Sequence, residues 1–75
     1  MFNEYDYIRK YKGYPKWDEL TQEAALKMLY GFYVDTFGDD KLVEYLEEDL
    51  KWFESQQEYE VCTCLKDLIE LVYEL

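Results

Sequence analysis

The side chains best suited to chemistry in this 75-residue chain are two cysteines and eighteen carboxylates. Cys62-Thr63-Cys64 offers two thiols close in sequence, the raw material of a metal site or a disulfide. On a helix, residues two apart project about 200° from one another, so these sulfurs face different ways. The chain has no histidine and no second cysteine pair, which leaves zinc short of ligands. Both cysteines are therefore expected to act as small buried hydrophobes. Catalysis finds equally little to work with. The commonest general base is missing, no serine or cysteine nucleophile has a visible partner, and no glycine-rich phosphate loop exists. Any two of so many carboxylates could pass for a glycosidase pair, but a domain this small leaves little room for a sugar cleft. The expectation is a protein that is not an enzyme and that needs neither cofactor nor metal.

The carboxylates make better sense as a surface. Glu44, Glu47, Glu48, Glu54 and Glu58 fall together on one side of a helical segment, with Asp39 and Asp40 nearby. Such a row resembles the charge pattern of a phosphate backbone and suits a basic protein surface, which it would attract over long range in a salt-sensitive way. Tyr45 and Trp52, seven residues apart, lie close in helical projection beside this face. Large aromatics next to charge are frequent interface anchors. These seven residues, Glu44, Tyr45, Glu47, Glu48, Trp52, Glu54 and Glu58, form the candidate partner-binding set. Two plainer uses stand beside it. The acids can be the solvated side of an amphipathic helix, and the two aromatics can pack against the chain's own N-terminus.

Charge is unevenly spread. The net charge is -10. Residues 1–17 carry Arg9, Lys10, Lys12 and Lys16 against Glu4 and Asp6, a balance of +2, so residues 18–75 carry -12. A domain this negative repels nucleic-acid phosphates and anionic membranes, which disfavours direct nucleic-acid or membrane binding. Arg9, Lys10 and Lys12 have a simpler use, neutralising the acidic helices in cis. No apolar run approaches the roughly 18 residues of a membrane span, and Met1-Phe2-Asn3-Glu4 lacks the features of a secretory signal. A cytoplasmic protein is expected, and the unpaired look of the cysteines agrees with a reducing compartment.

Three helices must position these residues. The first is predicted over Thr21–Phe37, with Thr21 as N-cap, Glu23 in its first turn and Gly38 as its stop. Ala25, Met28, Leu29 and Phe32 share one face, and Leu26, Tyr30, Val34 and Phe37 share nearly the opposite one, so this helix should be covered on two sides. Gly31 lies in its middle, where it weakens the helix and invites close packing. The second helix begins after Gly38, capped by Asp39 or Asp40, and continues to about Gln57, with Leu42, Leu46, Leu50 and Phe53 as its inner stripe. The third runs from Tyr59 to the end, burying Val61, Leu65, Leu68, Ile69 and Val72. Residues 1–17, with Tyr5, Tyr7, Tyr11, Tyr14 and Trp17, form an aromatic arm or a short extra helix lying against the acidic domain of residues 18–75. The fold class is all-α, a compact three-helix bundle with this N-terminal addition. The wide apolar faces of the first and third helices also leave room for a homodimer.

Residues Leu46 to Ile69 read LEEDLKWFESQQEYEVCTCLKDLI. This stretch resembles the UVR motif, an antiparallel helical hairpin of bacterial repair subunits and of some adaptor and chaperone proteins. Leu50 stands where the motif has methionine, followed in register by Tyr59-Glu60, Cys62-Thr63, Leu65, Lys66-Asp67 and Ile69. The chain departs from the motif where Phe53 and Glu54 replace small residues, Lys66 replaces arginine and Thr63 replaces alanine. The resemblance covers about a third of the chain and implies protein–protein coupling. In size and composition the chain also looks like small acidic phage anti-defence proteins, a likeness that implies an inhibitor or DNA mimic.

Overall fold

The computed structural model describes residues 3–75. Among them lie four α-helices, one 3-10 segment and no strand: α1 Glu4–Arg9, the 3-10 segment Lys10–Lys16, α2 Glu19–Phe37, α3 Leu42–Ser55 and α4 Tyr59–Glu74. They pack into a body of about 30 × 28 × 22 Å. No helix among the described residues is long and apolar enough to cross a membrane. The all-α class stands, but the described residues form four α-helices where the sequence predicts a three-helix bundle with an N-terminal arm or short extra helix. The reason is local. Asn3 caps α1, its side chain accepting from the Tyr5 amide at 2.9 Å, and the helix so started buries Ile8 completely. Pro15 cannot continue an α-helical ladder, having no N–H and a ring that crowds the preceding turn. The chain tightens into 3-10 geometry from Lys10 onward and turns at Trp17. Gly13 allows that turn to close, because a β-carbon there would sit 3.1 Å from the Trp17 indole nitrogen.

α4 is the central element. The 3-10 segment lies along one side of it and α3 along another. This explains how both cysteines can be buried although they project in different directions. Cys62 faces α3, with Sγ 3.9 Å from the Leu50 carbonyl. Cys64, two residues on, projects to another side of the helix and is wholly buried there. Tyr14 donates to Asp67 of α4 at 2.7 Å and its carbonyl accepts from Gln22 of α2 at 3.0 Å. Ile8, Tyr11 and Tyr14 thus belong to the same core as Leu29, Leu46, Phe53, Val61, Leu65 and Leu68.

Several predicted boundaries and faces move. Thr21 is not the N-cap of α2. Asp18 is, with its carboxylate accepting from the Thr21 amide at 2.8 Å, which also holds that carboxyl below the usual range. Gly38 ends the helix as expected, at φ +82° and ψ 166°, a conformation that is essentially glycine's alone. Neither Asp39 nor Asp40 caps α3. The N-cap position falls to Lys41 without a side-chain bond. The far end of α3 comes at Ser55, before the predicted Gln57, because Gln57 takes φ +60°. The Gln57 amide then donates to the Glu54 carbonyl and the Glu58 amide to the Phe53 carbonyl, both at 3.0 Å. These two bonds close a left-handed helix stop of the kind usually built on glycine.

On α2 the buried residues are Ala25, Leu29 and Tyr33. Tyr33, absent from the predicted faces, is wholly enclosed, while Met28, predicted inward, is 62% exposed. The second cover expected for this helix comes from the aromatic arm, since Tyr7 stacks on Phe32 at 4.3 Å. Gly31 does not serve close packing: no atom lies within 4 Å of where its β-carbon would be.

Candidate functional site

Burial of the predicted apolar stripe turns α3 so that most of its acids point outward. Leu42, Leu46 and Phe53 are buried and Leu50 is partly so. Glu44, Glu47, Glu48 and Glu54 are exposed. Their carboxylates make no ion pair or hydrogen bond among the described residues, where the ion pairs are those of Arg9. Glu58 differs. It is half-buried at the start of α4, and both its oxygens accept from Arg9 Nε at 3.1 and 3.2 Å. Arg9 also reaches Asp6 at 3.1 Å, and its guanidinium lies 5.3 Å from the centre of the Trp52 ring. The cis neutralisation considered for the N-terminal cations is thus visible at Arg9. Lys10 is used differently, its ammonium 3.8 Å from the centre of the Tyr7 ring.

Tyr45 and Trp52 are both half-buried. Trp52 stacks on Tyr5 of α1, the centroids 3.9 Å apart and the planes within 10°, and meets Phe53 edge-on. Tyr45 stacks on Phe37 at the end of α2, at 4.3 Å and 17°. Offset aromatic pairs of this sort add roughly 0.5–1.5 kcal/mol beyond the area they bury. Both rings therefore bind α3 to its neighbours, and what the face presents outward is chiefly carboxylate. Of the seven candidate residues, Glu44, Glu47, Glu48 and Glu54 stand free on one helix. Glu58, Tyr45 and Trp52 are engaged within the chain.

A buried polar cluster lies behind this face. Asp49, only 5% exposed, sits inside the apolar stripe of α3 and accepts from the Tyr33 hydroxyl at 2.5 Å. Burial raises the Asp49 carboxyl above its ordinary range, the Tyr33 bond lowering it partly again and Glu48 adding repulsion. Burial likewise raises Glu4, with Asp49 and then Glu48 repelling it. Its Oε2 is enclosed with no hydrogen-bond partner among the described residues. The one trace of Asp49's burial in the sequence is its spacing, three residues after Leu46 and four before Phe53. Glu4 leaves no such trace. No group of three or more His, Cys, Asp or Glu side chains among the described residues is arranged to hold a metal.

Between α3 and α4 runs an open groove of about 430 Å³, with Leu50 and Ile69 in its floor and Glu47, Glu54 and Glu70 along its edges, together with Lys51 and Lys66. Comparison with protein-family models, curated proteins and solved structures finds no match to this chain.

Proposed function

We propose that the chain is a small protein-binding inhibitor or adaptor whose acidic α3 face occupies a basic surface of a larger partner, as a DNA mimic does. A phage-encoded anti-defence role fits this mode of action. The observation that carries the reading is the row of exposed carboxylates at Glu44, Glu47, Glu48 and Glu54, which have no ion-pair partner among the described residues. Their like charges repel one another along a single helix, at a cost that a basic partner would convert into attraction. Water screens such pairs, so the benefit lies mainly in association rate and selectivity. Binding, with no catalytic step, is all this arrangement asks of the partner.

The test pairs salt with charge. Immobilised protein is presented to a bacterial lysate at about 50 and about 500 mM salt, limits that bracket strong and weak screening. A partner held at low salt and released at high salt is the expected result, and Glu47→Lys/Glu48→Lys should slow its association by tenfold or more, within the range of electrostatic steering. Retention indifferent to both salt and charge reversal would refute the reading.

The hairpin formed by α3 and α4 favours a second reading, a UVR-like module that couples or oligomerises bacterial subunits. A three-residue connection, residues 56–58, joins the two helices. At the motif's aromatic position, Tyr59 is 63% exposed and available to a partner. Cys62 and Leu65, by contrast, are spent on the chain's own core. Coupling of this type would survive high salt and fail in Tyr59→Ala.

A further inference from the structure

We infer that the α3–α4 groove is the anchoring point of the acidic face and that it takes a basic amphipathic helix of the partner protein. This rests on the acidic-face reading and gives the partner a chemistry. Among the described residues, Leu50 and Ile69 are the apolar side chains lining the groove, and both are partly buried, so they offer a floor without completing their own burial. Glu47 and Glu54, two turns apart on α3, belong at once to the groove's edge and to the free carboxylate row. Glu70 lines the groove from α4. Lys51 and Lys66 offset two of these three charges, and neither is in an ion pair with them. One negative charge is left locally, inside a domain whose balance from residue 18 onward is -12.

The occupant's form follows from backbone bookkeeping. Nothing in the described residues is a sheet edge to which an extended peptide could add. The groove walls are helices whose backbone groups already bond internally, so recognition must pass through side chains. Two packed helices make a trough along their axes, and Glu47 to Glu54 spans about 10 Å of it at 1.5 Å per residue. A helix laid in such a trough points residues at i, i+3 or i+4 and i+7 at the floor and carries its flanking positions over the rim. Aliphatic anchors would meet Leu50 and Ile69, and lysines or arginines at the flanks would meet Glu47, Glu54 and Glu70. A small molecule would leave this open trough largely wet, and nucleic acid would meet carboxylates.

The experiment uses the whole chain, isotope-labelled for amide NMR, and two synthetic peptides of equal positive charge. One is a lysine-rich helix with leucines at i, i+3, i+4 and i+7. The other has glutamine at those positions. The expected result is at least tenfold tighter binding of the leucine peptide, with saturable shifts centred on Leu50 and Ile69. Ile69→Glu should weaken that peptide by about tenfold, although the added negative charge would strengthen purely electrostatic binding. Should the variant not fold, the peptide pair on the unmodified protein decides. Equal binding of both peptides, with shifts along Glu44 and Glu48 alone, would overturn the groove and leave the acidic-face reading intact. Failure of both peptides to bind at low salt would overturn both.

Discussion

Replacing Tyr33 by phenylalanine keeps the ring that fills the α2–α3 interface and deletes the hydroxyl that satisfies Asp49. Tyr33 is wholly enclosed, Asp49 is 5% exposed, and the 2.5 Å bond between them is the carboxylate's hydrogen bond among the described residues. A hydrogen bond to a charged group contributes about 1.5–3 kcal/mol, and its loss leaves a buried charge unsatisfied. At roughly 4–8 °C per kcal/mol for a domain of this length, Tyr33→Phe should lower the melting temperature by about 10–20 °C at pH 7. The double variant Tyr33→Phe/Asp49→Leu removes donor and acceptor together and should recover most of that loss, because no polar group is then stranded. The pH dependence has a fixed sign. The folded Asp49 carboxyl titrates above its ordinary value of 3.8, chiefly through burial. Its contribution to stability is complete below that value and declines as pH rises through the folded value, where the buried group must ionise. Tyr33→Phe withdraws the hydrogen bond that favours the ionised form, so its penalty should grow as pH rises through the folded value. Comparing variant with unmodified protein at each pH cancels the general repulsion of an acidic chain. Thermal melts and urea titrations of the unmodified protein, Tyr33→Phe, Asp49→Leu and the double variant, each at pH 4 and pH 7, supply the measurement. Penalties that simply add in the double variant, or that are the same at both pH values, would refute the account of a buried charge held by one hydroxyl.

Backbone substitutions should split in sign between two glycines. Gly31→Ala adds a methyl to open space within α2 and should raise stability by about 1 kcal/mol. Gly38→Ala, at φ +82°, should lower it by about 1–3 kcal/mol, both read as shifts in urea midpoint. The cysteines should resist a thiol reagent at pH 8. Burial pushes the Cys64 thiol up to about 12 and raises Cys62 as well, so neither supplies the thiolate that reacts. Both should titrate only after denaturation, and prompt reaction of the folded chain would contradict the packing on the two sides of α4.

Much of this fold is legible in the residues themselves. Helix periodicity announces α3 and α4, because their stripes, Leu42-Leu46-Phe53 and Val61-Leu65-Leu68, repeat at the spacing that one packed face requires. Gly38 marks the end of α2 because only glycine readily takes the backbone found there. The acidic face is equally plain, since carboxylates excluded from a core have nowhere else to go. Other features have no local signature. The inward face of α2 cannot be picked out when apolar side chains ring most of its circumference, and contact with three neighbours decides that Tyr33 goes in and Met28 stays out. Gln57 supplies a left-handed stop without glycine because the α3–α4 packing pays the conformational cost.

What sequence alone determined is therefore the class of structure and the sign of its surface, both set by composition and by periodicity within single helices. Tertiary structure decided which charges stay free. Arg9 is drawn to Glu58 from 49 residues away, and Trp52 is covered by Tyr5. Asp49 is enclosed and satisfied by Tyr33 of a different helix. Each of these depends on segments distant along the chain being brought within a few ångströms, a distance that no local pattern encodes.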